Sequence, residues 1–186
     1  HEVNATGTLN VLSAARDNGV KKIIYASSSS VYGDTPTLPK REEMLPNPQS
    51  PYAVSKLAGE YYCGVFQEVY GLPSVCLRYF NIYGPRQDPE SPYAAVIPKF
   101  IRRIYEGNPL VIFGDGEQTR DFTFVKDATE ANILAAESGA TGIFNIGRSE
   151  SVTINQLAQL TIRLIGKEGI EPVHEEPRPG DIGHNH

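Results

Sequence analysis

The order of apolar and polar positions predicts alternating helices and strands in the first part of the chain. Apolar residues at helical spacing, closed by Gly19, predict a helix over residues 4–18. A continuous apolar run predicts a strand over 22–27, and a second helix and strand follow a proline-rich loop at 51–70 and 74–80. Helices of this length between strands favour a parallel sheet, so the predicted fold class is α/β with a doubly wound sheet.

The pattern changes after Asn81, where prolines and glycines separate shorter elements. Thr153 is expected to cap a last helix that ends near Gly166. The mixture of short strands and helices predicts a second, smaller lobe. The other predicted elements are helices at 95–106 and 126–138 and strands at 110–113, 121–125 and 143–146, of which the last could return to the sheet.

Composition and charge narrow the range of partners. The 186 residues are 40% apolar, which is enough for one core and a small second lobe. The net charge of -5 leaves no basic stripe to neutralise phosphates, which argues against a nucleic-acid binder or an anionic-membrane binder. Cys63 and Cys76 lie in apolar runs without a CxxC motif or a His cluster, so we expect reduced thiols, no metal site and a cytoplasmic protein. No apolar run approaches the roughly 20 residues of a membrane span.

A tyrosine and a lysine stand four residues apart near the start of the second predicted helix. This spacing places the Tyr52 phenol and the Lys56 ammonium on one helical face. A nearby cation favours the phenolate and lowers the tyrosine pKa from its ordinary value of about 10, so that Tyr52 can exchange a proton with a substrate hydroxyl. The same spacing is common on solvated helix faces, so this pair alone does not assign a function.

Four consecutive serines, at 27–30, follow the first predicted strand and precede Val31-Tyr32-Gly33. Ligands of open parallel sheets bind outside the carboxyl ends of the strands, where a serine hydroxyl can hold a substrate oxygen. The alternative is a polar turn, because serines are common turn residues. Four serines at the end of one strand favour the binding site.

The serine cluster, the Tyr-x-x-x-Lys motif and the segment Arg78-Tyr79-Phe80-Asn81 together resemble the extended short-chain dehydrogenase/reductase family over the whole chain. Within that family, the chain resembles the UDP-hexose 4-epimerases. The resemblance implies a Rossmann-like sheet and an isomerase that oxidises the sugar at C4 with NAD and reduces it again. It implies that the catalytic residues are Ser28, Tyr52 and Lys56, and that the cofactor contacts are Asn4, Ser27, Tyr52, Lys56 and Tyr79.

The resemblance also implies a UDP-sugar site in the second lobe. Arginine suits the diphosphate because its planar guanidinium pairs with two phosphate oxygens at once, although a surface ion pair is the alternative for each arginine. Arg120 and Arg178 are expected at the diphosphate, Phe113 at the uracil and Asp181 at the ribose. The implied substrate-binding residues are Ser28, Asn81, Val96, Ile97, Phe113, Arg120, Arg178, Asp181 and Asn185.

The same resemblance divides the chain into two domains. Residues 1–78 and 126–147 are expected to form the carboxyl-terminal part of an NAD-binding domain, and residues 79–125 and 148–186 to form the UDP-sugar lobe. The family's glycine-rich phosphate-binding fingerprint is not found, so we expect the N-terminal portion of the Rossmann domain to be missing from this chain.

A homodimer is a further implication of the resemblance. The expected contact is a four-helix arrangement built from the first helix and the Tyr52 helix of each subunit. Apolar surface for this contact is expected from Leu57, Ala58, Tyr61 and Tyr62.

The residue before Val31 favours an epimerase among the family's reactions. Dehydratases and decarboxylases, which the chain also resembles, normally have an acid at this position, whereas Ser30 stands here. UDP-glucuronate 4-epimerases share the serine run but usually depart from Tyr79-Phe80-Asn81. An NAD(P)H-dependent reductase would use the same catalytic residues, and a non-catalytic scaffold would be expected to lose them. In the family, a tyrosine at the position that corresponds to Asn185 accompanies restriction to unacetylated sugars, so the resemblance implies N-acetylated UDP-hexosamines as substrates beside UDP-glucose. The alternative for Asn185 is an exposed polar residue of the tail.

Overall fold

The computed structural model describes residues 1–90, 95–177 and 184–185. The α-helices in these residues are α1 (Gly7–Asp17), α2 (Pro51–Tyr70), α3 (Val96–Tyr105), α4 (Val125–Glu137) and α5 (Ile154–Ile165). The strands are β1 (Ile23–Ser28), β2 (Ser74–Tyr79), β3 (Asn81–Tyr83), β4 (Val111–Phe113), β5 (Thr119–Arg120), β6 (Phe122–Phe124), β7 (Gly142–Ile146), β8 (Val152–Thr153), β9 (Val173–Glu175) and β10 (His184–Asn185). A π-helical turn at Glu2–Thr6 leads into α1, and a 3-10 helix at Ser29–Tyr32 follows β1.

The largest sheet is parallel, with the strand order β1-β2-β7. Its register pairs Tyr79 with Ser28 on one side and with Ile146 on the other, so the carboxyl ends of the three strands are level. Side chains at this edge therefore lie close to one another, although their positions in the sequence are far apart.

Helices cover both faces of this sheet, as the alternation of side chains along β2 requires. On one face, Cys76 packs in an apolar cluster with Cys63 of α2 and with residues of α1. On the other face, Leu77 packs against Ala135 of α4. The predicted α/β fold with a doubly wound parallel sheet is therefore confirmed.

Local signals set the limits of α2, the helix that carries Tyr52 and Lys56. The Ser50 hydroxyl caps its start by accepting a hydrogen bond from the Ala53 backbone at 3.1 Å, and Pro51 occupies the first turn. Gly71 ends the helix in the left-handed conformation, with a φ of 66°. The helix spans the predicted residues 51–70.

Short strands, α3 and α5 form the second part of the molecule around its own core. The strands β3–β6 and β4–β9 form parallel pairs, and β5 lies between β8 and β10. The helix α5 begins with a capping box between Thr153 and Gln156. Fully buried residues at the centre of this core are Phe100, Ile104, Leu110, Ile112 and Ala158.

The sequence pattern missed several of the short strands. The strands β8 and β10 have two residues each, and β3 and β9 have three each. Strands this short do not show a recognisable alternation of apolar and polar residues. The strand predicted over 121–125 corresponds to the shorter β6, and the buried Asp121 separates β6 from β5, which was not predicted. The division into domains at 1–78 with 126–147 and 79–125 with 148–186 stays a prediction.

Both cysteines are free and buried. No helix among the described residues is long and apolar enough to cross a membrane. Nor do three His, Cys, Asp or Glu side chains in this part of the chain come together as a metal site would require.

Candidate active site

The serine cluster forms a capped turn at the carboxyl end of β1. The Ser28 hydroxyl accepts a hydrogen bond from the Ser30 backbone at 3.2 Å and thereby caps the 3-10 helix. Val31 and Tyr32 anchor this turn, because both are fully buried. The Ser30 hydroxyl oxygen is buried and makes no hydrogen bond with the residues that the structure describes. A buried polar atom without a partner is costly, so Ser30 is suited to bond a ligand.

The first turn of α2 presents Tyr52 to solvent and is held by Asn4. The Asn4 side-chain amide donates to the Ser55 hydroxyl at 3.0 Å, and Ser55 donates to the Tyr52 carbonyl at 2.7 Å. The Tyr52 side chain is 52% exposed. Asn4 thus lies next to the helical turn with the proposed catalytic pair, while its predicted contact with a cofactor stays a prediction.

Lys56 is half-buried on the same helix. Its Nζ lies 4.9 Å from the centre of the Tyr25 ring, and burial lowers the pKa of the ammonium. It forms no ion pair or hydrogen bond with the side chains that the structure describes. The ammonium can therefore donate hydrogen bonds to oxygen atoms of a ligand.

A buried network of charged residues lies beneath Ser28 and was not recognised in the sequence. Arg78 on β2 donates to both carboxylate oxygens of Glu60 on α2, at 2.9 and 2.7 Å, and the Ser27 hydroxyl donates to the same carboxylate. Burial acts to lower the pKa of Arg78, but the hydrogen bonds to Glu60 and Tyr32 raise it, and the raised value prevails. The network joins α2 to the ends of β1 and β2. Any further contact of the Ser27 side chain must use its remaining lone pairs.

Tyr79 and Asn81 stand on either side of the end of β2. The Tyr79 hydroxyl accepts a hydrogen bond from Asn132 of α4 at 2.7 Å, which places it on the sheet face opposite α2. Burial raises the pKa of Tyr79. Asn81 donates its backbone and side-chain N–H groups to the carbonyl of Asp121, at 3.0 and 2.9 Å. The predicted approach of Tyr79 to the nicotinamide stays a prediction.

Asp121 is a second residue that sequence reasoning missed. Its buried carboxylate accepts backbone hydrogen bonds from Arg148, at 2.8 and 3.0 Å, and from Ser149 at 2.8 Å. Because its carbonyl also holds Asn81, the residue connects the segment after β7 to β3. The signal was an acid that directly follows Arg120 and precedes the strand Phe122–Phe124.

A cavity of about 660 Å³ opens between α3, β4 and β5. It is lined by four of the residues expected to bind a UDP-sugar, namely Asn81, Val96, Phe113 and Arg120. Ile97 is not among the lining residues and packs against the apolar cluster of the second core instead. The predicted contact of Ile97 with a nucleotide stays a prediction.

Positive charge predominates in the cavity lining. Four cationic and two acidic side chains line it, and Arg102 forms an ion pair with Glu106 at 2.6 Å. An anionic ligand is therefore favoured over a cationic one. The charged lining residues are Lys99, Arg102, Arg103, Arg120, Glu106 and Glu175.

Of the three tail residues predicted to bind the substrate, only Asn185 lies within the described residues. The backbone of Asn185 lies in β10, which pairs in parallel with β5 and places Asn185 opposite Arg120. Arg178 and Asp181 lie outside the described residues.

A parallel α/β sheet with hydroxyl groups at its strand ends, a Tyr-Lys helix and a cationic cavity is typical of the Rossmann class of nucleotide-binding folds. The family model described as "NAD dependent epimerase/dehydratase family" matches residues 1–147. The chain belongs to this family.

Several described proteins resemble the chain over nearly its whole length. A putative UDP-glucose 4-epimerase of Methanocaldococcus jannaschii is 40% identical over 182 residues, which are 97% of this chain and 59% of that protein. The solved UDP-N-acetylglucosamine 4-epimerase of Methanobrevibacter ruminantium M1, in complex with UDP-N-acetylmuramic acid, is 47% identical with a TM-score of 0.96 and covers 99% of this chain and 59% of that one. The UDP-glucose 4-epimerase of Thermotoga maritima with UDP-glucose is 40% identical with a TM-score of 0.95, over 99% and 60% of the two chains. The chain thus spans about three fifths of these relatives.

Proposed function

We propose that the protein is an NAD-dependent UDP-hexose 4-epimerase that interconverts UDP-glucose and UDP-galactose and also the two N-acetylated UDP-hexosamines. The observation that carries this proposal is the cavity in which Asn81, Val96, Phe113 and Arg120 meet. These residues come from four separate segments, and the resemblance to the UDP-hexose 4-epimerases implied a UDP-sugar contact for each of them. Their meeting at one cationic cavity supports a nucleotide-sugar substrate.

The cavity offers a partner to each part of the UDP group. The planar guanidinium of Arg120 suits two oxygens of the diphosphate, and the Phe113 ring suits the face of the uracil. The additional cations Lys99 and Arg103 increase the attraction for the diphosphate. Arg178 and Asp181 complete the proposal as a second diphosphate ligand and a ribose ligand.

The residues at the strand ends fit the nicotinamide side of NAD. The unpartnered Ser30 hydroxyl and the half-buried Lys56 ammonium are both polar groups that a ligand with ribose hydroxyls would satisfy. In this proposal Lys56 holds the nicotinamide ribose, with Asn4, Ser27 and Tyr79 nearby. When bound, NAD supplies the acceptor and then the donor of the hydride at sugar C4.

Tyr52 carries the proton in the proposed reaction. In its deprotonated form, the Tyr52 side chain accepts the proton of the sugar C4 hydroxyl as C4 is oxidised, and Lys56 lies one helical turn away. The Ser28 hydroxyl holds the same sugar oxygen. After the 4-keto sugar turns over, Tyr52 returns the proton to that oxygen as C4 is reduced on its other face. The chain's residues are thus restored after one turnover.

Ser30 favours this reaction over the family's dehydratase chemistry. Elimination of water requires an acid-base group for the carbon next to C4, and a serine hydroxyl is a weak acid and a weak base. The position before Val31 carries that hydroxyl and no carboxylate. Reversible oxidation at C4 needs no such additional group.

The acceptance of N-acetylated sugars is the finer part of the proposal. The backbone of Asn185 pairs opposite Arg120, which is one of the residues that line the cavity. An asparagine occupies less volume than a tyrosine, which leaves space for an acetamido group at C2. The replacement Asn185→Tyr should reduce kcat/KM for UDP-N-acetylglucosamine much more than for UDP-glucose. Equal effects on both substrates would remove the assigned role of Asn185.

A homodimer through α1 and α2 is also part of the proposal. Leu57 and Tyr62, which were expected at the contact, are partly buried against the chain's own core. Tyr61, which was also expected there, is exposed and shares an exposed apolar stripe of α2 with Val54, Val65 and Val69. This stripe provides the apolar surface that a helix-to-helix contact between two copies would bury.

The experiment that tests the function measures epimerisation by the full-length protein with NAD and each UDP-sugar. An epimerase produces the C4 epimer with no net change in the absorbance of reduced nicotinamide, whereas a reductase changes that absorbance. Tyr52→Phe should reduce kcat by a factor of about 10² to 10⁴ while the Kd for UDP changes little. Tyr61→Phe, an exposed tyrosine on the same helix, is the matched control. Absence of product, or full turnover by the Tyr52 variant, would contradict the proposal.

A further inference from the structure

The ring of Tyr25 lies between β1 and the helical turn that carries Lys56. Tyr25 is 9% exposed and belongs to the same strand as Ser28. Its hydroxyl donates a hydrogen bond to the Lys56 carbonyl at 3.2 Å, and the Lys56 Nζ lies 4.9 Å from the centre of its ring. One aromatic side chain therefore contacts both ends of Lys56, its backbone and its ammonium.

Gly59 provides the space for this ring. A Cβ at position 59 would overlap the Tyr25 hydroxyl and the ring carbons next to it. The close approach thus depends on a residue without a side chain in the middle of α2, where glycine is normally unfavourable. The ring is held by the shape of the helix as well as by its hydrogen bond.

The ring face is the electrostatic partner of the Lys56 ammonium. Burial disfavours the charged form of Lys56, and no acid that the structure describes forms an ion pair with it. A cation within about 6 Å of an aromatic ring centre is attracted by the negative face of the ring, and more strongly where water is excluded. The ring both compensates part of the burial and limits the directions in which the side chain can extend.

Tyr25 keeps its proton throughout the range in which an epimerase would be assayed. Burial raises its pKa to about 12. The other titratable groups whose charges act on Tyr25 are Glu60 and Cys63 of α2 and Cys76 of β2. The positive charge of Arg78 balances the negative charge of Glu60 in their ion pair. Changes in activity with pH near neutrality therefore do not arise from Tyr25 itself.

We propose that Tyr25 is a positioning residue that holds the Lys56 ammonium on its ring face, one helical turn from Tyr52. The proposal rests on the proposed epimerase function, since the role of Lys56 belongs to it. Tyr25 touches neither substrate nor cofactor in this proposal. It acts through Lys56.

Two replacements of Tyr25 separate the ring from the hydroxyl in the full-length protein. Tyr25→Leu removes the ring and keeps an apolar side chain, and it should lower kcat about tenfold with little change in KM for the UDP-sugar. Tyr25→Phe keeps the ring and should stay within about twofold of wild type. Equal losses in both variants, or an unchanged kcat in Tyr25→Leu, would overturn the proposal.

A second pair of variants approaches the same contact from the helix. Gly59→Ala should displace the ring and lower kcat as Tyr25→Leu does. Gly64→Ala, on the same helix, has no atom within 4 Å of the added Cβ and should leave kcat unchanged. If Gly59→Ala retains the wild-type kcat, Tyr25 does not position Lys56.

Nuclear magnetic resonance of ¹³C-labelled lysine provides a measurement independent of activity. The ring current of Tyr25 should shift the Lys56 signal, identified by its loss in Lys56→Arg, and the shift should vanish in Tyr25→Leu but persist in Tyr25→Phe. If this result is obtained with a wild type that does not epimerise UDP-sugars, the proposed function fails while the positioning of Lys56 stands. If the wild type epimerises and the Lys56 signal ignores Tyr25→Leu, the positioning fails while the function stands.

Discussion

The buried ion pair between Arg78 and Glu60 allows a prediction of stability whose size depends on whether one partner or both partners are removed. Both side chains are 2% exposed, so solvent does not screen the pair. Arg78→Met leaves the Glu60 carboxylate buried with the Ser27 hydroxyl as its remaining side-chain donor among the described residues. The variant also removes the guanidinium that lies 4.6 Å from the centre of the Tyr32 ring.

The magnitude follows from the two hydrogen bonds that are lost. Each bond joins charged groups, and such bonds contribute about 1.5–3 kcal/mol to stability. Breaking a buried pair by removing one partner costs about 3–5 kcal/mol, mainly because a charge stays buried without compensation. We therefore expect Arg78→Met to lower the free energy of unfolding by about 3–5 kcal/mol. The double variant Glu60→Leu/Arg78→Met should recover most of this loss, because it leaves no charge behind.

The assay is urea unfolding of the full-length protein, followed by circular dichroism and extrapolated linearly to water. Arg148→Met is the matched control, because its ion pair with Glu150 is exposed and should contribute about 0–1 kcal/mol. A loss below about 1 kcal/mol in Arg78→Met would refute the reasoning from buried charge. A double variant as unstable as the sum of the two single variants would refute it as well, since the cost would then lie in packing.

Three further predictions concern ligand binding, assembly and alkaline stability. Phe113→Ala should weaken UDP binding about tenfold or more by calorimetry, because stacking on a base is lost, whereas Phe144→Ala, which does not line the cavity, should leave the Kd unchanged. Val65→Asp should convert the proposed homodimer to a monomer, as measured by sedimentation. Leu164→Asp is the control, because Leu164 is an exposed residue of α5, and it should leave the dimer intact. A Val65→Asp variant that stays dimeric argues against the contact through α2. Burial raises the pKa of Tyr25 from its ordinary 10.0 to about 12, so the unfolded chain ionises first and stability present below pH 10 is lost as the pH rises to about 12. Tyr25→Phe should make the free energy of unfolding fall less steeply over this range, and an unchanged slope would contradict the assigned shift.

The elements that the sequence predicted correctly are those with complete local signals. The helix α2 has a capping serine, a proline in its first turn and a glycine at its end, so residues 51–70 define it without reference to the rest of the chain. Long apolar runs separated by such helices likewise determine a parallel sheet. The Tyr52 and Lys56 pair follows from helical spacing alone.

Contacts between distant segments depended on the tertiary structure. The Ser27 hydroxyl and Arg78 both use Glu60, which comes from a helix between them in the chain. Asp121 holds the backbone after β7, and the short strands exist because a partner lies opposite them. A periodic pattern records which side of an element is apolar, but not which polar group on another element will satisfy it. The sequence alone therefore determined the helices, the sheet and the catalytic motif, whereas only the tertiary structure decided how burial and hydrogen bonding unite Glu60, Arg78 and Asp121 with the site.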